Sequence, residues 1–406
     1  MNFKKLFPLI LITISTLAFS QESTTKIKFY GYIGNDFFFN SRQNLELVDG
    51  TVQLFPKPIE LSAGVDKNAV AQAEMLSINT RLGMDIAGDS ILGAKSSGKI
   101  EADFNGFGTS YYVLRIRQAY MKLNWNKTEL LIGQTWHPLF ENVIPATFSS
   151  NAGGPFQPFN RSPQVRLKYK LSSTLTLTGA ALYEMQYASQ GPLGTINTYL
   201  KDALLPDLFL GLENKTSHWT TGIGADFKTI KPDANSISSL SGIAYAQYTN
   251  PKFQLKGKVT YGENLSDQLM LGGYGVSKFA ADSTTVLKYT NFNNLSSWIS
   301  AAYGTKIQVG IVLGLSENLG TNDMLDLGKG KKITAYGYGF YSTTQQILDK
   351  LYRIAPHVDY NLPNMKFALE YDLTKATYGT IQTNGSATNP YSVSNNRVLA
   401  SVMYIF

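Results

Sequence analysis

Cysteine is missing from this chain of 406 residues, and histidine occurs three times. The first absence excludes a disulfide framework and every thiolate metal site. His137, His218 and His357 lie in separate segments, and no two of them have the spacing that metal sites use. Charge is sparse at 16%, with no dense basic cluster, so no nucleic-acid partner is expected. Beyond residue 20 no apolar run approaches the roughly 18 residues of a membrane-spanning helix. G-x-S-x-G, P-loop and dinucleotide motifs are absent too, which leaves no enzymatic constellation and no cofactor site in view. Asp323 and Asp326 lack the oxygen density of a calcium loop.

What is present begins with a leader. Lys4 and Lys5 precede the apolar run Leu6–Phe19, and Ala18-Phe19-Ser20 offers small residues for cleavage before Gln21. That pattern is a secretory signal peptide over residues 1–20. Residues 21–406 show no linker and no shift in composition, which predicts one domain. The domain is rich in Gly (35), Tyr (24) and Phe (22), and the chain carries a net charge of +7.

The dominant signal is period-two alternation. Phe253, Leu255, Gly257, Val259 and Tyr261 oppose Gln254, Lys256, Lys258 and Thr260, and Ile307, Val309, Ile311, Leu313 and Leu315 form an unbroken apolar face. Successive strand side chains point to opposite faces, so these are half-apolar strands. Leu76, Ile78, Leu82, Met84 and Ile86 predict another apolar face, with a turn at Gly88-Asp89. Short helices are expected at Asn197–Leu205 and Gln345–Leu351, and long loops at Glu263–Leu295 and Gly379–Asn395. Long and short connections alternate, and the count comes to about sixteen strands. A secreted, helix-poor, alternating chain can pair all its backbone groups in lipid only by closing on itself. The fold class is therefore all-β, a transmembrane antiparallel β-barrel. On its inner face, scattered carboxylates such as Asp85, Glu101 and Asp103 read as wall charges rather than a catalytic pair.

One stretch breaks the pattern. Gly133–Arg166 carries Pro138, Pro145, Pro155, Pro158 and Pro163, the pair Gly153-Gly154, and Trp136, Phe140, Phe148, Phe156 and Phe159. Proline removes backbone donors, so this is neither a central strand nor a helix interior. So long and apolar a loop is expected to pack inside the barrel, narrowing the lumen over about residues 135–163.

With those residues in view, the chain resembles the outer-membrane porins of Gram-negative bacteria, general or substrate-specific, with sixteen strands. The C-terminal alternation Val398, Ala400, Val402, Tyr404, Phe406 is similar to the signal read by the barrel-assembly machinery, with Val402, Tyr404 and Phe406 at its end. The hairpin Arg115–Trp136 resembles the porin strands that precede the constriction loop, which implies that Arg117 and Arg115 face the lumen. Ala119, Met121 and Leu123 share their parity, however. The Pro-rich loop follows the fifth strand, where porins place the loop that bends inward. The resemblance implies a water-filled channel for passive diffusion of small hydrophilic solutes and not an enzyme. It implies a homotrimer in outer-membrane lipid and lipopolysaccharide, with the long first loop available to latch onto a neighbour. Within the loop Glu141 is the one acid. Arg81, Arg115, Arg117, Arg161, Arg166 and Lys168 surround it, which predicts a positive constriction and anion preference. A channel specific for phosphate, organic anions or sugars is an alternative, as is a plugged barrel acting as an enzyme or adhesin.

Overall fold

The computed structural model describes residues 25–105, 113–140, 143–147 and 153–406. The signal peptide and Glu141 lie outside these residues. Sixteen antiparallel strands close into a barrel. We number them β1 (Lys26–Asn40), β2 (Gln72–Leu76 and Arg81–Ile91), β3 (Ala94–Asp103), β4 (Arg115–Asn124) and β5 (Thr128–Trp136). They continue as β6 (Arg161–Lys170), β7 (Leu175–Leu182), β8 (Asp207–Lys215), β9 (Trp219–Ile230), β10 (Ile237–Thr249) and β11 (Phe253–Glu263). The last five are β12 (Val286–Gly304), β13 (Ile307–Thr321), β14 (Gln346–Asn361), β15 (Met365–Ile381) and β16 (Ala387–Ile405). Each pairs with its neighbours in sequence, and β1 pairs with β16 from Tyr32↔Ile405 to Asn40↔Arg397 to close the ring. The terminal Phe406 completes the seam, exchanging backbone hydrogen bonds with Gly31 at 3.0 and 3.1 Å.

Period two decides which side each residue takes. Along β13, Ile307, Val309, Ile311, Leu313 and Leu315 are exposed on the outer surface. Along β16, Val398, Val402 and Tyr404 stand outside, while Asn395, Arg397 and Ser401 are buried inside. The apolar outer face is the lipid-facing signature of a membrane barrel. Among the described residues no helix is long and apolar enough to cross a membrane.

Several local expectations change. The turn after β2 falls at Leu92-Gly93, both with positive φ, rather than at Gly88-Asp89. The latter sits at a register shift in the β2–β3 ladder, so a turn-like dipeptide here marks a bulge. β2 is interrupted over Ser77–Thr80, and Ile78 turns into the interior instead of joining the outer face. The helix expected at Gln345–Leu351 is the start of β14, whereas the one at Asn197–Leu205 is real as α1 (Thr198–Ala203). β12 begins at Val286, nine residues before the expected end of its loop, and β15 and β16 run through the stretch read as loop at 379–395. Their extra turns keep the ladder but lose apolar alternation, as expected where a strand projects past the lipid and both faces meet water.

The interior is not simply wet. A cluster of buried side chains holds Val52, Leu54 and Phe55 from the first long loop and Leu139, Phe140, Val143, Phe156 and Phe159 from the loop after β5. Wall residues Trp298, Leu351 and Tyr378 pack with them. Val52–Pro56 is buried against its own barrel, where Tyr378 Oη donates to the Pro56 carbonyl at 2.6 Å. That part of the first loop is therefore unavailable to latch onto a neighbour.

Candidate functional site

The site begins as two strands with like-facing charges. Glu101 and Asp103 on β3 and Arg115 and Arg117 on β4 all face inward and are mostly buried. Arg115 donates from Nε and Nη2 to Asp103 at 2.9 and 2.8 Å, a bidentate pair. Arg117 donates to Glu101 Oε1 from Nε and to Asp103 Oδ2 from Nη1, both at 2.7 Å. Arg81, on β2, lies 3.9 Å from Glu101 and over the Tyr32 ring. The parity conflict along β4 has a physical answer. The β3–β4 register shifts between Glu101↔Gln118 and Ala102↔Ile116, so Arg117 is the extra residue of a bulge. Beyond it the faces swap: Gln118 donates inward to Glu101, and Met121 is exposed outside. A bulge re-aims side chains in this way.

The loop between β5 and β6, residues 137–160, completes the site. Phe140 stacks on Trp136 with centroids 3.9 Å apart, and Phe159 meets the same indole edge-on at 5.1 Å. Arg161 lies over Trp136 at 4.3 Å and donates from Nε to Gln186. It is fully buried, and its Nη1 and Nη2 make no hydrogen bond with any described residue. Loop atoms reach side chains of strands well along the chain. Lys258 on β11 donates to the carbonyls of Leu139 (2.9 Å) and Phe140 (3.0 Å). Trp298 on β12 donates to Gln157 at 2.7 Å. Arg353 on β14 donates to Gly154 O at 2.8 Å and to Leu54 O at 3.1 Å, so one guanidinium holds both long loops. A Cβ on Gly314 would stand 2.6–2.9 Å from the Phe156 ring, so this glycine makes the seat in which Phe156 lies.

Arg81, Arg115, Arg117 and Arg161 thus come together around a cavity of about 330 Å³, with Trp136, Phe140 and Tyr187 in its walls. The first three share this cavity with Phe159 and Arg161 of the Pro155–Pro163 stretch, and Glu101 and Asp103 meet their charge. Arg166 is buried on the lumen side of β6, away from this cavity, and Lys168 stands opposite Glu129 in the β5–β6 register. Both border a smaller space beneath Pro138. Val402, Tyr404 and Phe406 are on the outside. Lys258, Trp298 and Arg353 were not legible as site residues. Each sits regularly on its strand, and a bond spanning 199 residues, as from Arg353 to Gly154, leaves no local signature.

A second buried cluster adjoins the loop. His137 Nε2 lies 3.3 Å from Asp207 and 3.6 Å from Asp226, a grouping with the spacing of metal ligands. The imidazole's other nitrogen, Nδ1, accepts the Leu139 N–H at 3.2 Å. A neutral ring then keeps its proton on Nε2, directed at the carboxylates, and has no lone pair there for a metal. The arrangement fits a hydrogen-bonded anchor for the loop's first turn. Nearby, Glu184 accepts from Ser189 N and Oγ at 2.9 and 2.6 Å. Burial, with Asp267 close by, pushes its carboxyl up to about 7.

No protein-family model matches the chain, and no curated protein matches it in sequence. Solved structures do match along almost its whole length. The outer membrane channel DcaP of Acinetobacter baumannii superposes with a TM-score of 0.66 at 17% identity, covering 94% of this chain and 97% of that one. The fold is that of an outer-membrane porin. Two further porin-fold structures match with lower TM-scores. An anion-selective porin from Comamonas acidovorans gives a TM-score of 0.55 at 10% identity, over 94% of this chain and 100% of that one. The trimer form of OmpT, an outer membrane protein of Vibrio cholerae, gives 0.54 at 11%, over 94% and 99%.

Proposed function

We propose that this porin-fold barrel is a non-enzymatic channel of a Gram-negative outer membrane, through which small hydrophilic solutes diffuse passively. The loop after β5 narrows its lumen. The single observation that carries this reading is the closed, outwardly apolar barrel whose Pro-rich loop bonds to Lys258, Trp298 and Arg353 of other strands. A lumen with an inward loop selects by size, and fixed wall charges bias it by sign. At the cavity four guanidiniums meet two described carboxylates, so the bias is toward anions. Arg161 supports this most directly, since its two terminal nitrogens have no hydrogen-bond partner among the described residues.

The test is a reversal potential across a planar bilayer under a KCl gradient. The wild type is expected to reverse toward the chloride potential, and Arg161→Gln to move toward zero selectivity. A cation-biased wild type would sink the anion reading while leaving the channel. A second reading, a channel selective for organic anions, is favoured by the stacked Trp136, Phe140 and Phe159 beside Arg161. It predicts current block that saturates with an aromatic carboxylate. We also propose a homotrimer embedded in lipid and lipopolysaccharide, inserted by the barrel-assembly machinery through Val402, Tyr404 and Phe406. The trimer form of the OmpT neighbour supports the oligomeric state, and light scattering of the purified protein checks it.

A further inference from the structure

The two rims of the barrel differ in how their charges are met. On the long-loop side four cations pair with carboxylates: Arg42 with Asp66 at 2.7 Å, Lys67 with Glu60 at 2.6 Å, Lys288 with Asp323 at 2.8 Å, and Lys350 with Glu317 at 3.0 Å. The exposed Lys201, Lys278, Lys329, Lys331 and Lys332 share that side with Asp202, Asp233, Asp282 and Asp326, so carboxylates offset them there. The short-turn side is different. Each of the first six short hairpins carries an exposed lysine in its turn or within two residues of it: Lys95, Lys127, Lys170, Lys215, Lys252 and Lys306. None of the six is in an ion pair with any described residue. Lys95, Lys170 and Lys215 hold the inward parity of β3, β6 and β8. Lys127, Lys252 and Lys306 sit in the turns themselves and are tied into the rim by main-chain bonds. Lys170 N donates to Lys127 O at 2.8 Å, Gly304 N to Lys252 O at 2.9 Å, and Asn361 N to Lys306 O at 2.7 Å.

The carboxylates at this end do not offset them. Asp85, Glu129 and Asp359 are engaged by Lys99, Lys122 and Lys366, and Glu213 accepts from Tyr245. Asp89 is the further carboxylate among the described residues of this rim, against six ammonium groups.

From this placement we propose that the short-turn mouth is a cationic vestibule that collects anions, multivalent ones above all, and makes the channel conduct asymmetrically. The inference rests on the chain being an open channel but not on the arginines of the constriction. A ring of fixed positive charge raises the local anion concentration at that mouth alone. Current is then larger when the voltage drives anions inward from the short-turn side, because they leave an enriched zone and accumulate in the unbiased one beyond it. The effect is strong where the screening length is about 30 Å, near 0.01 M salt, and vanishes where it is about 3 Å, near 1 M.

The chain's lack of cysteine makes orientation measurable: a single Ser217→Cys in the β8–β9 turn, labelled with an impermeant maleimide from one side, reports which way a channel faces. Oriented channels are recorded in dilute and in 1 M KCl, for this protein, for a variant with all six lysines changed to Gln, and for one with all six changed to Arg. The expected result is rectification of at least about 1.5-fold in dilute salt, lost in 1 M KCl as screening requires. It should disappear in the Gln variant and persist in the Arg variant. Tripolyphosphate should block at lower concentration from the short-turn side than from the other, and the Gln variant should lose that difference. Symmetric currents in dilute salt, or rectification that survives in the Gln variant, would overturn the vestibule while leaving the channel. If the Gln variant does not fold, the sidedness of tripolyphosphate block in the wild type decides. No conductance from any folded variant would overturn the channel reading and the vestibule with it.

Discussion

Single residues hold this site in ways that predict distinct failures. Arg353 donates to the Gly154 and Leu54 carbonyls and, through Nε, to Thr374 at 2.8 Å. Arg353→Ala leaves those buried acceptors unpaired, at roughly 1–3 kcal/mol each. The expected outcome is greater protease sensitivity at 137–160 and noisier or larger conductance steps, with the barrel intact by circular dichroism. Unchanged proteolysis would show that the loop is held elsewhere. Gly314→Val asks a steric version of the same question. Its side chain would enter the Phe156 ring, and overpacking of this kind costs about 1–3 kcal/mol. A lowered melting temperature is expected, with partial rescue by Phe156→Leu; no rescue would mean that the clash lies with another group. Arg115, Arg117 and Arg81 were legible from the sequence as inward-facing. Their partners were not, because Glu101 and Asp103 reach them across the sheet rather than along the chain.

At the scale of elements, alternation carried most of the sequence signal. β11 and β13 start where the pattern puts them, because one face meets lipid and the other does not. The signal fails where that contrast ends. The upper turns of β12, β15 and β16 pair as strands with polar residues on both faces, so they read as loop. The bulge at Arg117 defeats parity for a different reason: one extra residue inverts every face beyond it, and no residue type announces it. The segment after β7 adds a pH prediction. Glu184, buried and held near Ser189, titrates at about 7 instead of 4.5. Because its folded value is raised, its contribution to stability is fully present below 4.5 and is lost as pH rises through 7. The protein is expected to melt at a lower temperature at pH 8 than at pH 5, and Glu184→Gln should narrow that gap. An equal gap in the variant would assign the pH dependence to other groups.

For the whole molecule, closure is the deciding property. β1 and β16 meet in register, and Phe406 bonds to Gly31 at a point where a Cβ would lie 2.4 Å from the Arg81 carbonyl. Gly31→Val is therefore expected to slow or prevent folding, read as loss of heat-modifiable mobility in gel electrophoresis; normal mobility would show that the seam tolerates a side chain. The barrel was legible in the sequence because every backbone group in lipid must be paired. The burial of Val52–Pro56 against the barrel was less so, since it is a short hydrophobic run with no sign of where it packs.

The central claim is that this closed barrel, with its loops held inside, still passes ions. The most direct measurement is single-channel recording of purified, folded protein in a planar bilayer. The account predicts discrete, ohmic steps in 1 M KCl, grouped in threes if the channels insert as trimers. Silence from protein that is folded by heat-modifiability would contradict it and leave a plugged barrel.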